Sequence, residues 1–104
     1  MAVSIFSATL GSTGEVRRGR GLYEAEAIAE RKAGCDVVIC GDDLATNRAT
    51  AERIETAANG VSKRCPPHVI AGPKALPHYQ PKSRPSAGHT FYETDKRKAK
   101  RAWS

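Results

Sequence analysis

The apolar and polar positions of this chain mark out three kinds of segment. Between Leu22 and Ala33 the apolar residues recur at helical spacing, with Leu22, Ala25, Ile28 and Ala29 on one face, which predicts a helix. Gly34 stands where a helix C-terminal cap is expected. Asp36 to Cys40 then reads as a short continuous apolar run, the pattern of a strand covered on both faces. Gly41, Asp42 and Asp43 interrupt it, and either aspartate can accept a backbone hydrogen bond as the N-cap of a second helix. That helix is predicted from about Leu44 to Ala58, with Leu44, Ala51, Ile54 and Ala58 as its buried stripe and Asn59 and Gly60 as its end.

The flanking segments lack this periodicity. Residues 1–20 read as an extended lead-in, partly mobile, with one short strand around Val3, Ile5 and Phe6. The Gly11–Gly14 and Arg17–Arg20 stretches are expected to break regular structure. Pro66, Pro67, Pro73, Pro77, Pro81 and Pro85 exclude helix from residues 61–93. Three short runs there, His68–Ala71, Leu76–Gln80 and Gly88–Glu93, are strand candidates for a small antiparallel sheet with proline-bearing edges. The expected class is α+β: two N-terminal helices flanking a short strand, followed by a small, mostly antiparallel β-sheet. The expected domain spans residues 21–93, followed by a basic tail over residues 94–104.

With 104 residues the chain supports one domain. A fold of this size buries roughly 65% of the surface its unfolded chain exposes, so its core is modest. Three cysteines, Cys35, Cys40 and Cys65, do not form a disulfide framework. Cys35 and Cys40 alternate to opposite faces of one strand and cannot pair with each other, whereas a Cys40–Cys65 bridge stays open. No apolar run approaches a membrane span. Ala2–Leu10 lacks the flanks of a signal peptide, so export, if it happens, is expected to depend on another carrier.

Charge changes the picture more than composition does. Residues 1–60 hold seven Lys/Arg against nine Asp/Glu, a sum of −2, and residues 61–104 hold ten against two, a sum of +8. The split suggests a scaffold half and an anion-facing half, although a solvated basic face would also keep a small protein soluble. All three histidines, His68, His78 and His89, fall in the cationic half, each where a turn meets a strand. Three histidines could converge on zinc, but no cysteine or carboxylate stands beside them at ligand spacing. General acid–base chemistry on a phosphodiester suits them better. RNA cleavage by its own 2′-hydroxyl needs a base, an acid, and cations for the charge building on phosphorus. His78 and His89 are the candidate acid and base, with Arg84 as the transition-state cation and His68 as a less certain fourth member. Lys74, Lys82, Tyr79, Thr90 and Tyr92 are candidate substrate contacts, by charge, hydrogen bond or stacking. No cofactor is expected.

Other readings compete. Arg17, Arg18 and Arg20 fit a flexible basic linker that touches phosphate without specificity. Asp36, Asp42 and Asp43 keep open a metal-dependent nuclease, although capping alone explains the last two. A non-catalytic nucleic-acid-binding or adaptor domain is the alternative outside enzymes.

The run Asp36–Gly41, then Asn47-Arg48, Ile54-Glu55, Pro67-His68, Gly72-Pro73, Leu76–Pro81, Arg84 and Gly88–Tyr92 resembles the C-terminal toxin domains of bacterial polymorphic toxins, the Rhs-type and contact-dependent inhibition proteins. The likeness covers roughly residues 21–93; its two histidine segments are the specific part and its helical half is generic. The resemblance implies a nuclease-like domain, carried at the end of a larger protein and delivered into the cytoplasm of a competing bacterium. It also implies a dedicated immunity protein, which should be acidic if it covers this basic face. The expected substrate is RNA, tRNA included, and the expected state is a monomer apart from the immunity complex. Catalytic roles are assigned to His78, His89, Arg84 and His68 by their chemistry and not by a family template.

Overall fold

The computed structural model describes residues 3–10, 16–41, 43–60, 62–65, 76–81 and 88–94. Its elements are β1 (Ser4–Leu10), β2 (Val16–Leu22), α1 (Glu24–Lys32), β3 (Asp36–Cys40), α2 (Leu44–Asn59), β4 (Ser62–Cys65), β5 (His78–Pro81) and β6 (Thr90–Tyr92). The strands form one sheet in the order β2-β1-β3-β6-β5-β4. The β3–β6 pair is parallel, and the other described pairs are antiparallel.

The α+β class holds, but the expected arrangement does not. Strands come first, and β1 pairs directly with the buried strand β3, so the lead-in is part of the sheet. The late strands do not make a separate sheet; β6 docks on β3 and extends it. The sequence of β2 hid its nature, because three arginines and two glycines look like a break. At a sheet edge such residues are tolerated, since charge there discourages pairing with another chain.

An irregularity in β2 sets which side chains face where. Phe6 pairs with Gly21, yet Ala8 pairs with Arg18, so β2 carries one extra residue at that step. A one-residue bulge reverses the alternation of side chains. Leu22 therefore enters the core under the helices, while Val16 enters the core on the opposite face. The Arg20 N–H donates to Ser7 Oγ at 2.8 Å across the bulge, and a side chain at Gly19 would run into Ser7.

β3 divides the two cores. Val37 and Ile39 pack with Ile5, Ala51, Ile54, Tyr79 and Tyr92 on the helix side. Val38 and Cys40 pack with Val16, Leu76 and Phe91 on the other. Covered faces on both sides explain its unbroken apolar sequence. Asp43 is the N-cap of α2, accepting from the Thr46 N–H at 3.1 Å and from the Thr46 hydroxyl. Gly34 and Gly60, at φ +87 and +81, follow α1 and α2 as expected of C-terminal glycines.

The stripe of α1 is corrected in part: Ile28 packs against the helix-side core as expected and Leu22 enters it from β2, but Ala25 and Ala29 are exposed, and the fully buried positions of the helix are Ala27 and Arg31. Alanine carries little directional signal, and a buried arginine cannot be seen in an apolar pattern. Arg53 of α2 clasps Glu24 of α1 at 2.7 and 2.8 Å and holds that carboxyl below its ordinary range. This clasp contributes above the unfolded carboxylate range and is lost as pH falls through the lowered folded value. Neither described helix is long and apolar enough to cross a membrane.

Candidate acid–base site

The sheet face turned away from the helices carries Asp36, His78 and His89. Alternation along β3 puts Asp36 on the side of Val38 and Cys40, and alternation along β6 puts His89 on the side of Phe91. His78 opens β5 directly opposite Phe91. The two histidine rings meet edge-on, 4.7 Å between centroids at 85°. Phe91 lies beneath both, 5.2 Å from His78 and 5.0 Å from His89.

Asp36 fixes His89 twice. One oxygen, Oδ1, accepts from the His89 backbone N–H at 2.7 Å and sits 3.1 Å from Nδ1 of the ring. An ionised carboxylate only accepts, so Nδ1 carries the proton in this contact. Proton exchange with any substrate then passes through Nε2. The two side chains are each 19% exposed, open enough to meet a ligand. His78 is far more enclosed, at 3%, with Nδ1 3.5 Å from the Leu76 carbonyl.

The chain reaches this geometry through Gly88. At φ +82 it adopts a conformation that side-chain-bearing residues rarely take. A Cβ there would lie 2.6 Å from Arg31 Nη1, 2.7 Å from the Gly34 carbonyl and 3.1 Å from Asp36 Oδ1. Gly88→Ala is therefore expected to displace His89 from Asp36. The loss of the 2.7 Å backbone hydrogen bond would show as faster amide exchange at His89.

The structure thus brings together two of the four residues assigned to catalysis, His78 and His89. His68 and Arg84 lie outside the described residues, as do Lys74, Lys82 and Asp42. Tyr79 and Tyr92 belong to the helix-side core, their rings 5.8 Å apart, and Thr90 is fully buried. These three therefore serve packing and internal hydrogen bonding in the described fold, where alternation turns them away from the histidine face. Asp36, considered from sequence only as a metal ligand, is instead the partner of His89. An aspartate opening an otherwise apolar strand was the available signal. Asp43 is spent on capping, and among the described residues no group of three or more His, Cys, Asp or Glu side chains is arranged to hold a metal ion.

On the same face, Cys40 and Glu93 are buried beside Arg18, whose guanidinium carbon sits 5.1 Å from the Phe6 ring centroid. Burial, reinforced by the Glu93 carboxylate, pushes the Cys40 thiol up to about 12. Cys40 is a free thiol. Because the thiolate is the reactive form, a thiol reagent at neutral pH should leave Cys40 unmodified in the native chain while exposed Cys35 reacts. Mass spectrometry of labelled peptides before and after denaturation checks this; native labelling of Cys40 at the rate of Cys35 would contradict it.

No family model, curated protein or solved structure matches this chain. Function therefore has to be argued from the site itself.

Proposed function

We propose that this chain is a metal-independent endoribonuclease domain, with histidines as general acid and base on the RNA phosphodiester. The observation that carries the reading is the contact of His78 with His89 at 4.7 Å, with Asp36 behind His89. Two imidazoles in contact offer two proton roles near neutral pH. In the reaction, the 2′-oxygen bonds to phosphorus as its proton passes to the base. The bond from phosphorus to the 5′-oxygen breaks, and that oxygen takes a proton from the acid, leaving a 2′,3′-cyclic phosphate. His89, the more exposed ring, meets substrate through Nε2, and Asp36 compensates the imidazolium that forms. His78 takes the complementary role, which at its degree of burial requires local opening as substrate binds. Arg84, with Lys74 and Lys82 nearby in sequence, is assigned the charge on phosphorus.

The wider setting proposed is a toxin domain delivered into a target bacterium and restrained by an acidic immunity protein over the histidine face. The +8 balance of residues 61–104, ten cations against two anions, supports an anionic partner and substrate. Binding of single-stranded RNA should then weaken steeply with salt, log K falling with log salt by roughly 0.7 per phosphate contacted. A fluorescence-anisotropy titration between low and physiological ionic strength measures the slope, and a flat response would contradict the electrostatic account. Incubation of the purified chain with total RNA, tRNA and plasmid DNA tests the substrate. Cleaved RNA beside intact plasmid is expected; plasmid nicking alone would overturn the assignment.

A further inference from the structure

We infer that Arg31 is a positioning residue for the Asp36–His89 pair. Arg31 lies in the last turn of α1 and is fully buried, as is Glu55 of α2. Its Nε donates to Glu55 at 2.8 Å and its Nη2 at 3.3 Å. The same guanidinium also reaches both chain segments that carry the site. Nη1 donates to the Cys35 carbonyl at 2.9 Å, one residue before Asp36. Nε also donates to Thr90 Oγ1 at 3.1 Å, one residue after His89.

Glu55 holds the arginine in that pose from the other side. It accepts from the Thr90 hydroxyl at 2.9 Å and from Asn59 Nδ2 at 2.7 Å. The backbone of Gly88 lies against Arg31 and beside Asp36, with no room for a Cβ between them. One planar group thus ties the neighbours of the aspartate to the neighbours of the histidine.

A buried ion pair is a poor way to gain stability, because well-packed apolar residues often do as well. What a guanidinium adds is direction: a rigid fork of donors that fixes several acceptors at once. Here the acceptors flank the two residues whose distance, 3.1 Å, sets the tautomer of His89. The kinetic part of this inference rests on the proposed ribonuclease reading, and the tautomer part does not.

The test replaces the ion pair by apolar residues, Arg31→Met with Glu55→Leu, in the full chain. A second variant, Thr90→Val, removes both hydrogen bonds of the Thr90 hydroxyl, the one accepted from Arg31 and the one donated to Glu55, and leaves the ion pair in place. Nitrogen-15 spectra of the His89 ring report which nitrogen holds the proton, and circular dichroism with a cooperative melt reports folding. In the parent chain Nδ1 is expected to hold the proton; in both variants the ring should become a mixture of tautomers. On RNA, kcat should fall by about tenfold, because misplacing a reacting group by a fraction of an ångström is costly. KM should stay within about twofold, since substrate contacts are untouched. A folded variant whose His89 keeps one tautomer unchanged would overturn the inference, and Thr90→Val decides it if the double variant does not fold. Failure of the parent chain to cleave RNA would remove the ribonuclease reading alone, because the tautomer is measured without substrate.

Discussion

Arg31→Ala alone should destabilise the fold by about 3–5 kcal/mol, because it strands the Glu55 carboxylate in the core without its cation. Glu55→Ala should cost a similar amount for the mirror reason. A domain of this size has a total stability of roughly 5–15 kcal/mol, so either change removes a large share. The Tm should fall by about 12 °C or more, given a shift of roughly 4–8 °C per kcal/mol in small domains. Urea titrations followed by circular dichroism should show a lower midpoint at unchanged slope. The paired replacement, Arg31→Met with Glu55→Leu, should recover most of the loss, since it leaves no unpaired charge. Single variants within about 1 kcal/mol of the parent chain would mean that the network contributes little.

The second large effect falls on chemistry. His89→Ala should lower RNA cleavage by about 100-fold or more, because it removes a proton-transfer partner that Asp36 holds in one tautomer. His78→Ala should lower it comparably, because it removes the complementary proton-transfer partner. Asp36→Asn is informative beside them. An amide oxygen can still accept from Nδ1, but the charge that compensates the imidazolium is gone. The rate should fall while the fold persists, since Asp36 is partly exposed and outside the core clusters. Rates of the parent chain against pH should trace a bell, as expected when one catalytic group must be neutral and the other protonated. Single-turnover cleavage of a labelled oligonucleotide measures each variant.

The central elements were legible in the sequence wherever a side-chain pattern encodes its own environment. β3 was readable because an unbroken apolar run needs cover on both faces, and α2 because Asp43 caps it and Gly60 follows it. β2 was not, since its arginines and glycines fit a linker as well as an edge strand, and its bulge shows only in register with β1. The two histidines stand out by residue type and setting, but their meeting depends on β5 pairing with β6, which no local pattern encodes. Asp36 and Arg31 were hidden for another reason. Asp36 lies 53 positions from His89, and Arg31 lies 24 from Glu55 and 59 from Thr90. Such partners become neighbours only once the β3–β6 pairing and the α1–α2 packing are known. The tyrosines show the converse limit. Tyr79 and Tyr92 look like stacking residues in a basic segment, yet strand alternation turns them into the helix-side core.

The most direct test is to identify the product ends formed by the purified chain on RNA in excess EDTA. The acid–base account predicts 2′,3′-cyclic phosphate ends, formed at an undiminished rate in EDTA by the parent chain and lost in His89→Ala. Cleavage abolished by EDTA and restored by Mg²⁺ or Zn²⁺, or cleavage that survives His89→Ala, would contradict it.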